Sequence, residues 1–190
     1  MASKNEHFDL ARKYLISHGE VRAQPASDWN GTIALPASVA EYYHMVGPVD
    51  IYVEQYGNPF YLPSLKGLWK LQAGYRWNGL DEEATETWPR NWLVAASTGD
   101  GAIIFDIDSE HILFGLHGPS LYEADDLFDD IGMMAATLGA LGGIVESAGV
   151  DFMDNNCVIR PIFCEQAISR VALIVGSASR SCSVLKTLGW

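Results

Sequence analysis

Basic residues are almost missing from one quarter of this chain. Residues 81–130 hold thirteen Asp or Glu and a single Arg90, whereas 1–80 carries seven charges of each sign and 131–190 four of each. The whole formal charge of −12 therefore arises in that stretch. Lys and Arg clusters, on which phosphate binding depends, are lacking, which excludes direct nucleic acid binding. Cysteine is scarce as well. Cys157, Cys164 and Cys182 form an odd set with no CxxC pair, which argues against a disulfide framework and against zinc, and for buried or half-buried free thiols. No apolar segment follows the polar start at Met1, so no secretory signal is expected. The most apolar runs, Ile131–Val145 and Val171–Val175, fall short of the roughly 20 residues that span a bilayer. These absences predict a cytoplasmic protein with no membrane partner. GxSxG, HExxH and Walker-type glycine motifs are lacking too, so no enzyme and no cofactor are expected.

Apolar residues make up 48% of the 190 positions, enough for a sizeable core in one domain with an extension. Phe8, Leu10, Ala11, Tyr14 and Leu15 recur at helical spacing, which predicts a helix over Glu6–His18 stopped by Gly19. Leu35-Pro36 opens a second helix, with Pro36 in the first turn and Gly47-Pro48 at its end. The period then becomes alternating. Val49–Val53 and Pro59–Leu62 read as short strands around Gly57-Asn58. Ser64–Leu71 is a short helix or a strand entry, and Ala73–Arg90 is a long loop rich in Trp and acid. Trp92–Ser97, Ala102–Asp106 and Ile112–Leu116 predict an antiparallel meander. A helix or helix pair capped by Ser120 is expected from about Tyr122 to Ser147, and Gly149 marks a break. Arg160–Ile174 reads as a helix or a strand, followed by the Ser-rich segment Gly176–Ser183. The fold class is thus α+β, with a mainly antiparallel twisted sheet of about five to six strands flanked by N-terminal and C-terminal helices. The organisation is a domain over 1–148 and a C-terminal extension over 149–190 that packs on it or mediates self-association.

The residues Leu35-Pro36, Tyr42-Tyr43, Gly47, Trp92-Leu93-Val94-Ala95, Gly99-Asp100-Gly101, Phe105-Asp106-Ile107-Asp108 and Phe128 follow one another in an order that resembles the SUKH superfamily, the Smi/Knr-type immunity-protein domain. The resemblance runs from about Glu6 to Ser147. It implies a non-enzymatic binder, a cytoplasmic bacterial antidote to a polymorphic, contact-dependent or type VI-type toxin. Such toxins often target nucleic acids. A nuclease presents a basic cleft to phosphate, and carboxylates can block it. The charge distribution by itself asks for the same kind of partner, a basic protein steered by negative potential. An intracellular scaffold or regulatory adaptor is the alternative, and an uncharacterised enzyme is a third.

Several residues carry these expectations. Asp81, Glu82, Glu83 and Glu86 share the loop with Tyr75, Trp77 and Trp88; Tyr75 and Trp77 are expected as exposed anchors for the partner, and Trp88 as core. Glu123, Asp125, Asp126, Asp129 and Asp130 are placed at a helix start, where i,i+4 spacing sets the four aspartates in two columns on one side. Asp100, Asp106 and Asp108 complete the candidate partner-binding set. Asp106 and Asp108 with His111 and His117 could suggest a metal, but the spacing of a calcium loop is absent and no metal is expected. Cys164 with His117 can be imagined as a nucleophile and base, but composition alone supports it. Gly132, Ala135, Ala136, Gly139, Ala140, Gly142 and Gly143 form a run of small residues that admits a close neighbour, either within the chain or in a homodimer.

Overall fold

The structure, a computed structural model, describes residues 3–80, 83–116 and 124–190. Helix α1 spans Lys4–Leu15 and begins with a capping box: the Ser3 side chain accepts from the Glu6 amide while the Glu6 carboxylate accepts from the Ser3 amide. Phe8, Ala11 and Leu15 lie on its buried side. Helix α2 spans Ala37–Met45, with Pro36 at the cap rather than inside the first turn. Gly47 ends this segment at φ +59°, and a Cβ there would lie 1.8 Å from the Arg22 carbonyl oxygen. No residue with a side chain fits that position.

Strands β1 (Ile51–Val53), β2 (Phe60–Leu62), β3 (Trp92–Ser97), β4 (Gly101–Asp106), β5 (Ile112–Leu116) and β6 (Asp125–Phe128) form one open sheet in chain order, antiparallel throughout. Between β2 and β3, the ambiguous segment is helix α3 (Leu65–Leu68) followed by a 3-10 turn, Lys70–Gln72. The α+β class and the antiparallel meander follow the alternation of the sequence.

The expected helix from Tyr122 to Ser147 is corrected. Asp125–Phe128 is strand β6, paired with β5 in the register Ile112↔Phe128, Leu113↔Asp126 and Phe114↔Asp125. Helix α4 starts only at Ile131 and runs to Ala148, capped by Asp130, whose carboxylate accepts from the Met133 amide at 2.7 Å. Pairing with β5 satisfies a row of backbone groups that a helix here would have left at an open sheet edge. Ser120 and Tyr122 lie outside the described residues.

Helix α5 (Pro161–Val175) has Pro161 in its first turn and closes at Gly176, φ +86°. The Ser-rich segment Gly176–Ser183, given no element from the sequence, falls largely in helix α6, Ala178–Thr187, capped by the Ser177 side chain. Its Val184 and Leu185, with Leu188 just beyond, join the same buried cluster as α1, α4 and the inner sheet face.

The sheet is covered on both sides. On the inner face Leu93, Ile103, Phe105, Ile112 and Phe114 pack into the helices; on the outer face Val94, Ala102 and Ile104 are covered by Tyr75 and Trp88 from the long loop. Three of the four glycines of α4, Gly132, Gly139 and Gly142, face α1 and β1 in the same chain. A Cβ at Gly132 would meet Phe8 at 2.6 Å, at Gly139 Tyr14 at 2.9 Å, and at Gly142 Val53 at 2.2 Å. His18 clasps the same junction: its fully buried ring places Nδ1 2.7 Å from the Glu146 carboxylate and Nε2 2.9 Å from the Gly139 carbonyl. Among the described residues, Ile131–Asp151 is the one single helix long and apolar enough to cross a membrane, and 72% of its apolar window is buried in the fold. It is the central core helix.

Candidate acidic interface

The meander decides where the carboxylates of 81–130 go. The β4–β5 turn carries Asp106, Asp108 and Glu110 at one end of the sheet, beside the start of β3 and the end of β6. The β3–β4 turn carries Asp100 at the opposite end.

At the first end much of the charge is answered within the chain. Asp106 organises its turn: its carboxylate accepts from the Asn91 side chain at 2.7 Å, the Asp108 amide at 3.1 Å and the Ser109 hydroxyl at 2.9 Å. Asp108 lies past the end of β4, so the two aspartates do not share a strand face. Asp129 receives both Arg180 guanidinium nitrogens, at 2.6 and 2.5 Å, and this pairing holds its carboxyl below the usual carboxylate range. Asp130 caps α4 and accepts from the buried His7 Nδ1 at 2.6 Å. Asp126 meets His111 Nδ1 at 2.8 Å, with both side chains exposed. The two-column array of aspartates therefore does not exist. Asp129 and Asp130 have structural partners, and only Asp125 and Asp126 project from the strand into solvent.

The long loop is anchored rather than free. Arg76 donates to the carbonyls of Arg90 and Trp92 at 2.9 and 2.6 Å while its guanidinium sits 5.9 Å from the centre of the Trp69 ring. Trp69 stands between Trp29 and Trp77, with ring centres 5.5 and 5.0 Å away. Trp77, expected to be exposed, is consequently half-buried. Tyr75 is corrected further: only 6% exposed, it stacks on the buried Trp88 against the outer sheet face. It is a core residue and cannot anchor a partner. The loop aromatics cover the apolar surface of β3 and β4 on that side, with Leu71 and Ala124 packed beside them. Glu83 and Glu86 are exposed; Asp81, Glu82 and Glu123 lie outside the described residues.

What is left after these pairings is Glu86, Asp100, Asp108, Glu110 and Asp125, exposed carboxylates that form no ion pair among the described residues. Glu110 was not singled out from the sequence, although it sits in the same turn as Asp108, held at φ +62°. Among the described residues no three His, Cys, Asp or Glu side chains are placed to share a metal ion; His117 lies outside them. The thiols are all free, with Cys157 and Cys182 exposed and Cys164 half-buried, so the expectation of buried or half-buried free thiols holds for Cys164 and fails on burial for the other two.

Compared with known proteins, the chain matches no family model, no curated protein and no solved structure.

Proposed function

We propose that this protein acts by occupancy: it binds a basic protein stoichiometrically through its acidic turns and loop, in the manner of a cytoplasmic bacterial immunity protein that neutralises a toxin acting on nucleic acid. The observation that carries this reading is the surplus of exposed, unpaired carboxylates drawn from a stretch with a single arginine. Solubility does not require such a surplus, since mixed charges provide it without self-repulsion. Its use is in steering a cationic partner and rejecting acidic ones. The motif order that resembles the SUKH superfamily supports the same reading.

The test is co-expression with the toxin domain encoded beside this protein, followed by charge reversal. Changing Glu83, Glu86, Asp108 and Glu110 to Lys should abolish protection and weaken the complex about 100-fold or more, given several steering charges lost together. The same number of reversals at Asp9, Asp28, Glu54 and Glu165 changes net charge equally and should leave protection intact. Equal losses from both sets would reduce the effect to global charge. Death of cells with and without the protein, both chains being soluble, would refute the antidote reading for that pair and favour a scaffold role.

A further inference from the structure

With Tyr75 buried and Trp77 half-covered, neither aromatic expected as an anchor is free for a partner, yet nanomolar binding corresponds to about −12 kcal/mol and exposed charge pairs contribute little each. A cleft at the other end of the sheet offers an anchor. It measures about 400 Å³ and lies where the β1–β2 turn, the β3–β4 turn and the end of β5 meet the last turn of α6. Phe60, Phe114, Leu116 and Leu188 give it an apolar lining. Of the described lining residues Asp100 alone is charged. Thr98 Oγ1 donates to the Asp100 carboxylate at 2.7 Å and so holds it on the turn. Gln55 also lines the cleft, its Nε2 donating to the Asn58 carbonyl oxygen.

We infer that this cleft receives a lysine or arginine side chain of the basic protein partner, its stem on the apolar lining and its head toward the exposed Asp100 carboxylate. The chemistry is selective on both counts. Long cationic side chains combine an apolar stem with a polar head. Asp100 is the charged group among the described lining residues, so a cation answers it, whereas an anion is repelled and a purely apolar group leaves it unpaired. The inference rests on the binding reading above and adds an anchor to it.

The probes are n-hexylammonium, neutral n-hexanol and a capped Gly-Lys-Gly peptide, titrated into the isotope-labelled protein while amide shifts are followed. Saturable shifts at Phe60, Thr98, Asp100, Phe114 and Leu188 are expected with the amine and the peptide, with millimolar affinity, and weaker ones with hexanol. Asp100→Asn keeps the turn's acceptor and should weaken both cationic probes about 3- to 5-fold, the range of an exposed charge pair. Asp9→Asn removes the same charge elsewhere and should change nothing. Absence of saturable shifts in the cleft, or equal binding by Asp100→Asn, overturns the inference. So does binding of the free amine with exclusion of the peptide, which would make the cleft a site for small amines. The broader reading fails separately: if the four-residue charge reversal leaves partner binding intact, the acidic interface is wrong whatever the cleft binds.

Discussion

Two adjacent glycines of α4 should respond to the same substitution with opposite sign. Alanine in place of a helical glycine gains about 0.8–1 kcal/mol of propensity. At Gly143 nothing opposes that gain, because the nearest atom to the added Cβ is Arg170 Nη1, 4.0 Å away. Gly143→Ala should therefore stabilise the protein by most of it. At Gly142 the added Cβ would stand 2.2 Å from Val53 Cγ1 and 2.9 Å from His18 Cε1. Ordinary carbon contacts are about 3.5–4.0 Å, so more than 1 Å must be opened. Val53 is fully buried in β1 with a stiff branched side chain, and His18 is held at both ring nitrogens. Overpacking of this kind costs roughly 1–3 kcal/mol. Set against the propensity gain, Gly142→Ala should be destabilising by up to about 2 kcal/mol. Urea unfolding followed by circular dichroism reads both variants, and at this chain length each kcal/mol moves the melting temperature by about 2–4 °C. If Gly142→Ala proves as stable as Gly143→Ala, then α1, β1 and α4 do not approach one another as described, and the packing account of the small-residue run is wrong.

Two further outcomes follow from the corrected site. Tyr75→Ala should lower stability by roughly 3 kcal/mol, as for a truncated core aromatic, because Tyr75 closes the outer sheet face with Trp88; an unchanged urea midpoint with weakened partner binding would return it to the interface. The Asp129 carboxyl is held below its ordinary value by Arg180, so it contributes stability that is present above the unfolded carboxylate pKa of about 3.9 and lost as pH falls through the lower folded value. Asp129→Asn should thus be less stable at neutral pH and lose less on acidification, measured as melting temperature from pH 7 downward; parallel pH profiles for the two proteins would show that the pair contributes nothing.

Where local pattern and tertiary packing agreed, the elements could be read directly. Trp92–Ser97 and Ile112–Leu116 are strands at the bounds their alternation implies, and the Ser3–Glu6 capping box starts α1 within two residues of its expected position. Two elements were not legible, for one shared reason. Asp125-Asp126 has little intrinsic strand preference and becomes strand only because β5 needs a partner. Ala178–Thr187 is serine-rich and becomes helix because Val184 and Leu185 have an apolar surface to cover. In both, long-range burial and pairing overrode weak local preference.

The candidate site divides along the same line. That the negative charge is concentrated between 81 and 130 is a property of the sequence alone, since charge adds along a chain without regard to its path. Which carboxylates remain available is decided only in three dimensions. Asp129 is answered by Arg180, 51 residues away, and Asp130 by His7, 123 residues away. Pairing depends on a few ångströms of separation in space, and only the folded arrangement brings such distant residues within that range.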